Sequence, residues 1–202
     1  MNKGIFLTAL LSYFVIVDPV GVSLIFAALT DGKDDSYCRK MAFRAILLSI
    51  IIVLCFGFFG ATLLTKLGIS IESFRIAGGL LLFYTAFNMI TKSEGFTPAN
   101  SHHAMEDISV FPLSFPLIAG PGCLTLTVLL HADAGQQVEN VISLVVAVLL
   151  VFGLTFICFL SAHKISRFMG ETGNNIVKRL LGVLLASLSI QFIADGIIGF
   201  LN

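Results

Sequence analysis

The sequence predicts an all-helical integral membrane protein with six transmembrane helices arranged as two inverted three-helix repeats. Three observations predict this fold class. The 202 residues have a mean hydropathy of +0.99 and only 12% are charged, about half the usual share in a soluble domain. Six segments are long and apolar enough to cross a bilayer, which takes about 20 residues. The chain also matches itself when it is shifted by just over 100 residues.

The six apolar segments cover residues 4–30, 41–66, 70–91, 108–131, 139–163 and 176–201. The intervening connections are polar, and lysine and arginine are concentrated in the first, third and fifth of them. Because basic residues favour the cytoplasmic side, that side is expected to hold these three connections, and both termini are expected on the outer side. The basic residues concerned are Lys33, Arg39, Lys40, Arg44, Lys92, Lys164, Arg167, Lys178 and Arg179.

The internal repeat divides the single transmembrane domain, 1–202, into repeat 1 (1–92), a linker (93–106) and repeat 2 (107–202). With a shift of 102 residues, Asp18-Pro19 falls on Gly120-Pro121 and Ser12 on Ser114. With a shift of 104, Arg75 and Gly78 fall on Arg179 and Gly182. An odd number of spans in each repeat gives the two copies opposite orientations, as in many secondary transporters.

The first and fourth segments each contain a helix break near their middle. Asp18-Pro19 lies at the fifteenth residue of the first segment, and Pro121 is the fourteenth residue of the fourth. Proline removes a backbone donor and clashes with the preceding turn, so both helices are expected to break at the midplane. Pro112 and Pro116 also make an irregular or re-entrant stretch more probable than a regular helix before Pro121.

A small-molecule site is predicted between these two breaks. A carboxylate at bilayer depth must be paired, protonated or hydrated, and a helix that starts there directs free amides into the bilayer. The predicted binding residues are Asp18, Gly21, Ser12, Ser114, Gly120, Gly122 and Cys123. Two simpler roles stay open: Asp18 acts only as a helix N-cap, and the serine hydroxyls bond only to their own helix carbonyls.

Arg75 and Arg179 lie one to two turns inside their spans. Each either extends to the membrane interface or forms an ion pair or gate, with Glu72 and Asp195 as the expected partners. The four cysteines are widely spaced and fit reduced packing residues better than a metal site. The histidines show no metal spacing, and no nucleophile–base set is present, so we expect no enzyme and no metal or other cofactor.

Several stretches together resemble the MarC family of bacterial inner-membrane proteins. They are Asp18-Pro19-Val20-Gly21 with Phe26, residues 78–83 running to Met89-Ile90, residues 111–122, and Gln191 with residues 195–197. The family usually has a further proline where this chain has Leu24, and asparagine where it has Val22. The resemblance implies a six-span inner-membrane transporter of small neutral amino acids.

The expected function is therefore alternating-access transport of a small zwitterion, coupled to protons or sodium. The alternatives are a channel or exporter for another small solute, and a membrane scaffold that transports nothing. The expected partners are membrane lipid and the substrate, and a homo-oligomer is left open. The net charge of zero gives no electrostatic basis for binding nucleic acid.

Overall fold

A computed structural model describes residues 3–91, 107–135 and 137–201. The predicted linker 93–106 therefore lies outside the described residues. Between Ser109 and Ile118 lies an irregular stretch, called here the proline segment. The helices are α1 (Lys3–Val17), α2 (Pro19–Leu29), α3 (Asp35–Lys66), α4 (Ile71–Thr91), α5 (Pro121–Ala134), α6 (Val138–Leu160) and α7 (Ala162–Leu201).

Five helical stretches of the described chain are long and apolar enough to cross a membrane, and there are six if a bent pair counts as one span. The five are Lys3–Leu29, Asp35–Lys66, Ile71–Thr91, Val138–Leu160 and Arg179–Leu201, and the bent pair is the proline segment with α5. Each of these stretches overlaps one of the predicted segments, so the described chain has five or six candidate spans. Large exposed apolar side chains such as Phe59 and Tyr84 give the bundle an apolar outer surface that suits lipid.

The predicted fifth connection, 164–178, differs from expectation because it is helical. α7 begins at Ala162 and continues without a break to Leu201. Isolated glycines cost a helix only about 1 kcal/mol each, and this stretch has no proline to stop propagation. The connection is therefore a helical extension of the last span.

Helices α4 and α7 pack side by side in antiparallel directions. Gly79 lies against Ser189 and Ile193, while Gly196 lies against the backbone of Glu72. The absence of a side chain at these glycines lets the two backbones approach closely, as is common between membrane helices.

Helices α3 and α6 are also antiparallel. Phe43 and Phe156 meet edge to face with ring centroids 6.4 Å apart, and the start of α3 and the start of α7 border one cavity. Phe26 of α2 stacks on Phe159 of α6 with ring centroids 4.5 Å apart. Leu10, earlier in the first span, lines one pocket with Leu150, which is earlier in α6. The first span therefore runs parallel to α6.

The proline segment and α5 run in the same direction as α3. Arg44 pairs with Asp107 at 2.8 Å at one end, and Gly57 packs against His131 at the other. Because α3 is antiparallel to α6 and the first span is parallel to α6, the first span is antiparallel to α5.

The core is formed mainly by the first span, α3, α5 and α6. Its largest buried side chains include Tyr13, Phe26 and Phe152. A smaller cluster of Leu82, Ala86 and Leu185 lies where α4 meets α7. Asp18 at the first break is buried, whereas Pro121 at the second break is exposed.

Candidate functional site at two helix breaks

Asp18 interrupts the first span as the cap of α2. Its backbone is left-handed, with φ 47° and ψ 69°, and its Oδ1 accepts a hydrogen bond of 2.9 Å from the Gly21 amide. Aspartate tolerates this conformation better than most residues, and Pro19 at the first helical position needs no acceptor for its nitrogen. Asp18 is only 8% exposed, so its carboxylate is both a cap and a buried acidic group.

Gly21 makes room for that carboxylate. A Cβ atom built on Gly21 would lie 2.7 Å from Cγ of Asp18, which is closer than side chains tolerate. The carboxylate therefore lies directly over the start of α2. Position 21 must be glycine for the Asp18 side chain to stay where it is, because any Cβ atom there would collide with the carboxylate.

The first break is a mild bend. The Asp18 amide donates to the Phe14 carbonyl and the Val22 amide donates to the Asp18 carbonyl, both at 3.0 Å. Hydrogen bonding therefore continues on both sides of Pro19, and α1 and α2 form one span of 27 residues. The second break is sharper, because the proline segment and α5 meet at 55°.

The proline segment is irregular, as its prolines predict. Phe111 and Phe115 are extended, with φ near −130° and ψ of 129°, and both Phe–Pro peptide bonds are cis. A residue before proline avoids the helical region for steric reasons. The Leu113 and Ala119 amides bond to carbonyls five residues earlier, at 3.4 and 2.8 Å.

The Ser114 hydroxyl is satisfied by backbone. It lies 2.6 Å from the Ser109 carbonyl and 3.0 Å from the Ala45 carbonyl of α3, and it is buried. Ser114 thus connects the proline segment to α3. Ser12, its match in the first half, is buried in α1 next to Tyr13.

The second break places the start of α5 inside the bundle. Gly120 is the extended cap residue, with φ −71° and ψ 171°, and as a glycine it offers no side-chain cap to the helix. The Pro116 carbonyl lies against Gly120, and Leu82 of α4 covers Gly122. Cys123 is 1% exposed. Pro121 is exposed and Gly122 is half-buried, so the start of α5 is only partly covered.

A buried hydrogen bond joins the two interrupted spans. The Tyr13 hydroxyl donates to Thr127 Oγ1 at 2.9 Å, and the Thr127 hydroxyl donates to the Cys123 carbonyl at 2.7 Å. Asp18 follows Tyr13 by five residues and Gly122 precedes Thr127 by five. Since the spans are antiparallel and a helix rises 1.5 Å per residue, both breaks lie at about the same height.

Comparison with known proteins identifies the family. Residues 4–201 match the family described as MarC family integral membrane protein. The chain belongs to the MarC family. It is 33% identical to the UPF0056 inner membrane protein YhgN of Escherichia coli K12, over 98% of this chain and 97% of the relative.

Other relatives of this MarC family protein come from distant organisms. It is 32% identical to the UPF0056 membrane protein YvbG of Bacillus subtilis, covering 94% of this chain and 92% of the relative. It is also 32% identical to a UPF0056 membrane protein of Archaeoglobus fulgidus, covering 95% of this chain and 92% of the relative. No solved structure matches the chain.

Arg75 of this MarC family protein lies at one end of the α4–α5 contact, where its guanidinium pairs with Asp133. The pair joins α4 to the end of α5 and involves neither of the partners expected from the sequence, Glu72 and Asp195. Asp195 instead accepts a hydrogen bond of 2.8 Å from Gln191 on its own helix. Arg179 is exposed at the start of the last span.

Four residues of the site were missed in the sequence: Tyr13, Leu82, Thr127 and Asp133. Each one belongs to an apolar helix and acts through a neighbour distant in the chain. Tyr13 and Thr127 are polar groups inside apolar runs, which is the signal that could have indicated a bonded pair. Among the described residues, no cluster of three or more metal-ligating side chains occurs.

Proposed function

We propose that this MarC family protein is a secondary transporter of a small zwitterionic solute, with neutral amino acids as the expected substrates and the inner membrane as its location. The observation that carries the proposal is the pair of interrupted spans. Their helix starts lie at about the same height inside the bundle, and the Tyr13–Thr127 hydrogen bond joins them.

The two breaks offer complementary chemistry to a zwitterion. The Asp18 carboxylate suits an ammonium group or a coupling proton or sodium ion. The start of α5 has no side-chain cap, so its amides at Gly122 and Cys123 suit a carboxylate. A neutral amino acid carries both groups a few ångströms apart.

The arrangement of the helices supports two inverted repeats. The first span is antiparallel to α5, α3 to α6, and α4 to α7. A two-fold axis in the membrane plane produces this relation between matching helices. We therefore propose that one repeat rocks against the other around the breaks during transport.

The closed contacts at the breaks define what must move. Leu82 covers Gly122, and the Asp18 carboxylate covers the start of α2. At the end of α5, the Arg75–Asp133 pair holds α4. We propose that the Arg75–Asp133 pair acts as a gate at one face, and that Arg179 and Asp31, which the repeat places at the matching positions, form a second gate at the opposite face.

Uptake into reconstituted vesicles tests the proposal, with labelled alanine or glycine as the solute. Asparagine caps helices as well as aspartate, so Asp18→Asn keeps the helix start while it removes the charge. We expect a loss of about 10- to 100-fold in uptake, the value of a hydrogen bond to a charged group. Asp35→Asn, on the exposed start of α3, is the matched control and should transport normally.

Unchanged uptake in Asp18→Asn, combined with instability in Asp18→Ala, would reduce Asp18 to a cap and remove the proposed site. Gly122→Ala provides a second test, since its added methyl group would displace Leu82. Trans-stimulation by unlabelled substrate distinguishes a carrier from a channel. A thermal-shift screen against amino acids addresses the scaffold alternative, because a bound ligand raises the melting temperature.

A further inference from the structure

A polar cavity of about 470 Å³ lies where the start of α3 meets the end of α6 and the start of α7. Arg39 and Asp35 line it from α3, and His163 and Lys164 line it from α7. Phe156 and Phe159 of α6 also line it. It is at the end of the apolar spans, at the depth where lipid headgroups are found.

The rim of this cavity attracts anions. Arg39 and Lys164 come from different helices and supply two positive charges, Asp35 supplies one negative charge, and His163 adds two ring nitrogens. The start of α3 lies beside the cavity, and a helix start carries partial positive charge. Asp34, the cap residue of α3, makes no capping hydrogen bond with its side chain.

The inner part of the cavity is apolar. Phe159 is 2% exposed and stacks on Phe26, and Phe156 is partly buried. Leu160, which also lines the cavity, is 50% exposed, so a ligand that fills the cavity must place a charged group at the rim and an apolar chain on Phe156 and Leu160. A free phosphate ion satisfies only the first requirement, whereas a phospholipid satisfies both.

We propose that this cavity binds the phosphate of an anionic glycerophospholipid between Arg39 and Lys164, with an acyl chain against Phe156 and Leu160. Basic pockets between membrane helices recognise anionic headgroups in this way. The site is independent of the proposed transport site, because it shares no residue with the helix breaks.

Native mass spectrometry of the full chain in detergent tests the proposal, with dioctanoyl phosphatidylglycerol as the probe. Each basic residue near a headgroup is expected to change affinity about fivefold, so R39Q/K164Q should weaken binding about 25-fold. The charge-conserving R39K/K164R should bind within about twofold of the unmodified protein. K66Q, which removes a lysine at the other end of α3, should leave binding unchanged.

Three results with the variants and with phosphate would overturn the proposal, and a fourth comes from a neutral lipid. They are unchanged binding in R39Q/K164Q, an equal loss in K66Q, and full displacement of the lipid by an equal concentration of inorganic phosphate. The last result would assign the cavity to a free anion. Should the double variant fail to fold, K164Q alone gives the same test with an expected fivefold loss. Dioctanoyl phosphatidylcholine, which has no net charge, should bind more weakly than dioctanoyl phosphatidylglycerol. Equal binding of the two lipids would contradict recognition of the anionic headgroup by Arg39 and Lys164.

Discussion

The hydrogen bond between Tyr13 and Thr127 is the most direct test of how the two interrupted spans meet. Tyr13 is fully buried, and its hydroxyl donates to Thr127 Oγ1 at 2.9 Å. Tyr13→Phe removes one buried hydrogen bond while it keeps the ring. The expected cost is about 1 kcal/mol of unfolding free energy.

Thr127→Val should cost more, because it leaves the Tyr13 hydroxyl buried without its acceptor. The expected loss is about 2 kcal/mol, within the range for an unsatisfied buried group. The double variant no longer has the Tyr13 hydroxyl that Thr127→Val leaves without an acceptor. Its total loss of unfolding free energy should therefore be about 2 kcal/mol, the same as for Thr127→Val alone. The coupling energy is then about 1 kcal/mol, inside the range measured between membrane helices.

Thermal unfolding in mild detergent provides the measurement. For a chain of this size, 1 kcal/mol corresponds to about 2–4 °C in Tm. Tyr84→Phe, at a tyrosine that is 64% exposed, is the control and should stay within about 0.5 kcal/mol. Additivity of the two single variants to within about 0.5 kcal/mol would refute the contact, and with it the matched height of the two breaks.

Two further predictions concern a glycine and a carboxylate. Gly21→Ala should destabilise by about 0.5–2 kcal/mol in thermal unfolding, because its Cβ displaces the Asp18 cap; Gly153→Ala, with open space around it, should not destabilise. The Ser109 hydroxyl and, more weakly, Arg44 lower the pKa of Asp107, so its stabilisation is present above pH 3.8 and is lost as pH falls through the lowered value. Ser109→Ala should raise that pKa in an NMR titration of labelled aspartate, and an unchanged pKa would contradict the assignment.

Local chemistry explains why the breaks could be predicted from the sequence. Pro19 and Pro121 cannot donate a backbone hydrogen bond, whatever surrounds them, and an aspartate or glycine before proline is a favourable helix start. The structure has caps at Asp18 and Gly120 for these reasons. The amount of bending could not be predicted, because it depends on which helices press against each break.

Pairing between helices could not be predicted, because it depends on the register of distant segments. The sequence contains acidic residues near Arg75 on its own helix, yet the guanidinium reaches Asp133 on α5. The predicted connection at 164–178 is helical, since its glycines are too weak to end a helix without a proline. The Arg75–Asp133 pair is a tertiary contact, and the helical structure of 164–178 results from helix propagation; neither can be read from the local sequence pattern.

By itself, the sequence determined that this protein is an integral membrane protein of the MarC family with apolar spans and two proline breaks. Hydropathy and proline chemistry are properties of short segments, so they hold before any helix meets another. Only the tertiary structure decided that the breaks lie at one height and that Tyr13 bonds Thr127, because antiparallel packing brings together residues 114 positions apart.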